Sequence, residues 1–187
     1  MPPQPEDELD FTQPGTSPLP RPTLEQVESA RSEAKVGAPQ LDASGFYVSI
    51  ARHSAARVPP KNGLNYVLLA VEDDETLGQL LVDTFTLAGF EVRRASNRAE
   101  INAELGRKPG ADLVLLDIVL PDANGLQVLQ RIREHPRLAD LPVIMMTGKS
   151  APEDVEAGLA AGADGYVSKP FQMNGLVKAV NSVLGKD

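Results

Sequence analysis

From residue 63 onward, short apolar runs alternate with polar segments that carry apolar residues at helical spacing. Residues 67–71, 90–92, 113–116, 143–146 and 165–167 each fit a short strand buried on both faces. Between them, Leu77, Leu80, Leu81 and Phe85 mark one helix face, closed by Gly89. Leu126, Leu129 and Ile132 mark another, and Leu176, Val177, Val180, Val183 and Leu184 a last one. Strand followed by helix, repeated five times, predicts an α/β domain built on a doubly wound, five-stranded parallel sheet. Parallel strands need crossovers, and right-handed crossovers place helices on both faces. Ligands of such sheets bind outside the carboxyl ends of the strands, so the residues following each apolar run bear on chemistry.

The first 62 residues read differently. Ten of the sixteen prolines lie there, and residues 1–22 hold too little apolar material to offset chain entropy. We therefore expect a proline-rich, mostly disordered extension over 1–62 and a folded domain over 63–187, with Pro59-Pro60 and Asn62-Gly63 punctuating the boundary. A helix is predicted over 23–36, with Thr23 and Gln26 forming a capping box and Gly37 ending it. Residues 46–51 are β-prone. These two stretches make 23–58 a candidate docking segment, with an inert linker, or a chain that is part of a larger hybrid kinase, as the other readings.

Composition narrows the field. Of 187 residues, 42% are hydrophobic but only 4% aromatic, so aliphatic residues must build the core. A net charge of -8 without a long basic run gives little attraction for nucleic acid or anionic lipid. The absence of cysteine removes disulfides, thiolate metal sites and cysteine nucleophiles. With no apolar stretch of signal-peptide or membrane-spanning length, a soluble cytoplasmic protein is expected.

Four strand ends carry polar residues of note. The first runs into Glu72-Asp73-Asp74-Glu75, which reads equally as helix capping and as a site. The third ends at Asp117, an isolated acid after four apolar residues, costly there without a partner. Were those strands neighbours, Asp73 and Asp117 would share one pocket. Two carboxylates ~4 Å apart repel by roughly 4 kcal/mol at an effective dielectric near 20, which a hard cation such as Mg²⁺ relieves. The fourth strand ends at Thr147-Gly148, where a hydroxyl can donate to an oxyanion. After the fifth comes Lys169-Pro170-Phe171, whose lysine can pair with Asp117 or a phosphoryl oxygen and, taken singly, reads as a surface lysine.

Together these segments are specific. Val71 to Glu75, Leu116-Asp117-Ile118-Val119-Leu120-Pro121-Asp122-Ala123-Asn124-Gly125, Met146-Thr147-Gly148 and Ala161 to Phe171 resemble the receiver domain of two-component response regulators. The separations of 44, 30 and 22 residues between Asp73, Asp117, Thr147 and Lys169 fit as well. The resemblance covers 64–187. It implies a flavodoxin-like fold with strand order 2-1-3-4-5 and an aspartyl phosphate formed on Asp117 from a kinase phosphohistidine. It also implies Mg²⁺ on Glu72 (through water), Asp73, Asp117 and the Val119 carbonyl, with Thr147 and Lys169 on phosphoryl oxygens. Thr147 and Tyr166 would form the switch, Tyr166 turning inward on phosphorylation. Pro121 and Gly125 would shape the loop after Asp117, and Lys169-Pro170 is where the family places a cis bond. Such a receiver catalyses its own phosphorylation and dephosphorylation and has no separate turnover substrate.

Implied partners are a sensor histidine kinase or histidine phosphotransfer protein, a downstream protein effector, and a phosphorylation-dependent homodimer. Direct DNA binding and membrane insertion are not expected. The alternative is a receiver-fold docking module that is never phosphorylated. A dehalogenase-type phosphatase would need an acid where Val119 stands, and neither a glycine-rich dinucleotide turn nor a P-loop is present. His53 lacks the neighbouring acid of a phosphohistidine site, and His135 reads as exposed.

Overall fold

The computed structural model describes residues 11, 22–49, 61–148 and 152–186. Its elements in chain order are α1 (Leu24–Ser44), β1 (Phe46–Val48), β2 (Val67–Val71), α2 (Glu75–Leu87), β3 (Glu91–Ala95), α3 (Arg98–Gly106), β4 (Leu113–Asp117), α4 (Gly125–Glu134), β5 (Val143–Thr147), α5 (Pro152–Ala160), β6 (Gly165–Ser168) and α6 (Met173–Leu184). The sheet runs β1-β6-β5-β4-β2-β3. Strands β2 to β6 are parallel, as expected, and stand in the 2-1-3-4-5 order of the flavodoxin-like fold when counted from β2.

The period-two rule of strands explains the two cores. Leu69, Val71, Val114, Leu116, Val143, Met145 and Tyr166 face one side, packed with Ile101 and Leu105 of α3, Val128, Leu129 and Ile132 of α4, and Val155 of α5. Their neighbours Leu68, Ala70, Leu113, Leu115, Ile144, Met146 and Val167 face the other, against Leu81 and Phe85 of α2 and Leu176, Val180 and Leu184 of α6. Helix starts are set by side-chain caps: Asp74, Asn97 and Asn124 accept backbone N–H bonds from Leu77, Glu100, and Leu126 and Gln127 respectively.

The end of the sheet away from the strand carboxyl termini is stitched by polar groups. Asp112, just before β4, accepts the N–H of Val67, the first residue of β2, at 2.7 Å. Asp164, just before β6, accepts the N–H of Val143, the first residue of β5, at 2.9 Å. Arg133 of α4 donates to Asp164 and to the carbonyls of Gly162, Ala139 and Leu141.

Three expectations need correction. The sheet has six strands, because β1 pairs antiparallel with β6; a three-residue run carries no periodicity from which that pairing could be read. The first helix begins at the Thr23 capping box but passes Gly37 and Pro39 to end at Ser44, with Gly45 in the left-handed conformation at φ 79°. Interior Gly and Pro each disfavour a helix, by about 1 and 3 kcal/mol, yet here Gly37 leaves room for the Tyr47 ring and its neighbours Ala34, Ala38 and Leu41 are buried. Tertiary packing outweighs the local preference. His135 is buried, not exposed: the Phe11 ring lies 5.4 Å from it, and its Nδ1 accepts the Arg137 N–H. The rest of the expected proline-rich tail and residues 50–60, including His53, lie outside the described residues.

Gly125 opens α4 directly against the chain that leaves β4. A Cβ there would collide with the Asp117 carbonyl and stand 2.8 Å from Ile118 Cα. Gly125→Ala is therefore expected to destabilise the fold by about 1–3 kcal/mol, through displacement of packed backbone. An unchanged denaturant midpoint would contradict this packing account.

Candidate functional site

Parallel register brings the carboxyl ends of β2, β4, β5 and β6 to one edge of the sheet. Glu72 and Asp73 follow β2, Asp117 ends β4, Thr147 ends β5, and Lys169 follows β6. The carboxylates of Glu72, Asp73 and Asp117 each place an oxygen within 4.8 Å of the others; Glu72 and Asp117 are buried and Asp73 is exposed. The Lys169 ammonium donates to Glu72 Oε2 at 2.6 Å and to Asp117 Oδ2 at 2.7 Å. The remaining oxygens are also held. Val119 N–H donates to Asp117 Oδ1 at 3.0 Å, and Asp74 N–H to Glu72 Oε1 at 3.1 Å.

The acidic run after β2 thus divides its labour. Asp74 caps α2, Glu75 pairs with Arg94 at 2.9 Å, and Glu72 and Asp73 turn to the strand ends. Capping and site, offered as alternatives by the sequence, are both present on adjacent residues. Sequence reading did not find the direct Glu72–Lys169 pair. Its only signal was an acid placed at the very end of an apolar strand, where burial forces a charged partner on it.

Burial raises the Glu72 pKa above the usual carboxylate value, and the hydrogen bond from Lys169 opposes that effect without cancelling it. For Lys169, burial disfavours the charged form, but hydrogen bonds to Asp117 and Glu72 outweigh it, and the ammonium is held above the ordinary lysine value. One cation therefore stands between two buried acids, and a third acid remains at the mouth. Lys169 is a half-buried member of this group rather than a surface lysine, with Phe171 flanking its ammonium.

Thr147 is buried beside this cluster, its carbonyl accepting the Lys169 N–H at 2.8 Å. Val119 is exposed at the rim. Tyr166 is not part of the cluster. It lies one strand inward from β1, fully buried, its hydroxyl donating to the Asp154 carbonyl at 3.2 Å. Burial raises its pKa strongly, so it stays protonated. The Lys169–Pro170 bond is cis.

Comparison with known proteins agrees with this geometry. Residues 68–181 match the family model described as the response regulator receiver domain, and the chain belongs to that family of two-component signal transduction proteins. The transcriptional regulatory protein GltR of Pseudomonas aeruginosa is 38% identical over 117 residues, covering 63% of this chain and 48% of that protein. The phosphate regulon transcriptional regulatory protein PhoB of the same organism is 34% identical over 118 residues, 63% of this chain and 51% of its own. The chain thus spans about half the length of the curated relatives it matches. Among solved structures, the chemotaxis response regulator CheY4 of Vibrio cholerae superposes with a TM-score of 0.60 at 29% identity, over 65% of this chain and 100% of that one. The signal receiver domain of a histidine kinase from Syntrophus aciditrophicus gives 0.59 at 28%, over 64% and 90%. No helix among the described residues is long and apolar enough to cross a membrane.

Three carboxylates and no nitrogen or sulfur donor suit a hard divalent cation. Such an ion would neutralise the same charge as Lys169. Lys169→Gln is expected to lower the thermal midpoint without metal and to enlarge the rise in midpoint on adding Mg²⁺, because repulsion left unscreened makes the ion worth more. Equal rises in the wild type and the variant would show that lysine and metal site are independent.

Proposed function

We propose that this protein is a phosphoacceptor receiver in which Asp117 takes a phosphoryl group from a phosphohistidine of a sensor kinase or histidine phosphotransfer protein. The observation that carries the reading is the convergence of Lys169 on two buried acids, with Asp73 beside them. An Asp117 carboxylate oxygen attacks phosphorus, a P–O bond forms, the P–N bond breaks and the imidazole leaves. Val119 N–H and Lys169 fix the carboxylate in one orientation. Lys169 stays charged throughout and passes to a phosphoryl oxygen as the new acyl phosphate forms. Thr147, with its hydroxyl, donates to another.

Glu72, Asp73, Asp117 and the Val119 carbonyl would hold Mg²⁺, which supplies charge neutralisation for the transferring group. Phosphoryl transfer is chiefly positioning and electrostatics, so these groups suffice without a separate enzyme active site. In this reading Thr147 is drawn toward the phosphoryl group and Tyr166 is held inward, altering a protein-interaction surface read by a downstream protein or a second copy of the chain.

Acetyl phosphate with Mg²⁺, followed by intact mass measurement, tests the chemistry. The wild type is expected to gain one labile phosphoryl adduct, Asp117→Asn none, and Lys169→Ala to be labelled about 10²- to 10³-fold more slowly, as for loss of one charge-stabilising donor. A wild type that remains unlabelled would leave constitutive docking as the function of the fold.

A further inference from the structure

The segment before the receiver is a folded part of it. Strand β1 completes the edge of β6 through the pairs Phe46↔Val167, Tyr47↔Tyr166 and Val48↔Gly165. The Ser49 N–H extends the ladder to the Asp164 carbonyl at 2.8 Å. Helix α1 then lies along α5, burying Ala30, Ala34, Gly37, Ala38 and Leu41. Helix α1 and strand β1 are also fastened to each other. Glu33 of α1 accepts hydrogen bonds from the Tyr47 hydroxyl and from the Ser49 hydroxyl, each at 3.0 Å.

Two features connect this unit to the phosphoacceptor site. Directly opposite residues of an antiparallel pair project to the same face, so Tyr47 and Tyr166 stand side by side in one core. Tyr166 has no exposed surface, and its hydroxyl fits only because Gly158 of α5 lacks a side chain, since a Cβ there would collide with it. In addition, the Gly45 carbonyl, at the junction of α1 and β1, accepts the Ser168 N–H at 2.9 Å. The next residue is Lys169, whose N–H goes to Thr147 and whose ammonium holds Asp117. From Gly45 to Asp117 the contacts are unbroken.

We infer that α1 and β1 act as a built-in ligand of the α5–β6 face, holding Tyr166 in its buried position, so that docking of this segment and phosphorylation of Asp117 favour each other. The inference rests on the phosphoacceptor reading, in which an inward Tyr166 accompanies the acyl phosphate. Here the ring is inward with the segment docked. A partner approaching this face meets α1 along α5 and β1 in place of a bare β6 edge. Because linkage is reciprocal, a modification at Asp117 tightens the segment by the same factor by which the segment favours the modification.

Beryllofluoride with Mg²⁺, an acyl-phosphate mimic, tests this on the full chain. In the wild type, saturation is expected to slow amide hydrogen exchange at Ser49 and Ser168 by roughly 5-fold or more, the lower end of typical coupling. In Ala38→Glu, which places a carboxylate on the buried face of α1, the same amides should exchange faster. Its half-saturating beryllofluoride concentration, followed by the Thr147 amide resonance, should rise by a similar factor. Unchanged exchange at both amides in a wild type that binds beryllofluoride overturns the coupling and leaves the phosphoacceptor reading standing. So does an Ala38→Glu variant with exposed amides and wild-type affinity. A wild type that takes up no beryllofluoride overturns that reading and the inference with it. If Ala38→Glu loses its fold, the wild-type exchange decides alone.

Discussion

The Lys169 ammonium between Glu72 and Asp117 is the contact on which the carboxyl edge of the sheet depends. Two acids almost wholly removed from water face each other across adjacent strands, and a buried charge without a partner is among the costliest things a fold can contain. One lysine, delivered from β6 on the far side of β5, satisfies both. The site therefore exists only when β2, β4, β5 and β6 are in register. That requirement ties the chemistry of three side chains to the order of the whole parallel sheet.

The parallel architecture was legible because its signal is redundant. Five apolar runs separated by helical spacing left few topologies, and strands such as VLLAV and VIMMT are buried on both faces as such runs demand. Asp117 was legible for a related reason, since it ends an apolar strand where a solvated charge is out of place, whereas Lys169 taken singly reads as a surface lysine and gains meaning only beside the other strand ends. Yet that cue has no direction. Asp112 and Asp164 also adjoin apolar runs, but at the amino ends of their strands, where they accept backbone N–H groups and stitch neighbours together. Only the direction of the chain through the sheet separates these stitching acids from those gathered with Lys169 at the carboxyl edge.

The amino-terminal region was legible in part. A capping box is a local device, and Thr23 and Gln26 form it as the sequence suggests. That the helix passes Gly37 is a tertiary matter, decided by Tyr47 passing beneath it, while its actual end at Ser44 carries the local mark of Gly45 in the left-handed conformation. The same holds for β1, whose three residues gain their meaning from the unpaired side of β6. His135 follows this pattern, its burial supplied by Phe11 from more than a hundred residues away.

Arg133 gives the sheet an unequal mechanical character. Its guanidinium fastens α4 to the segments leading into β5 and β6, and Asp164 locks those two strands together beneath it. The floor beneath β5 and β6 is thereby clamped, while at the opposite rim Lys169 joins the ends of β2, β4 and β6. The strand starts beneath β5 and β6 are thus held by a guanidinium and a buried carboxylate, and the strand ends above them by an ammonium.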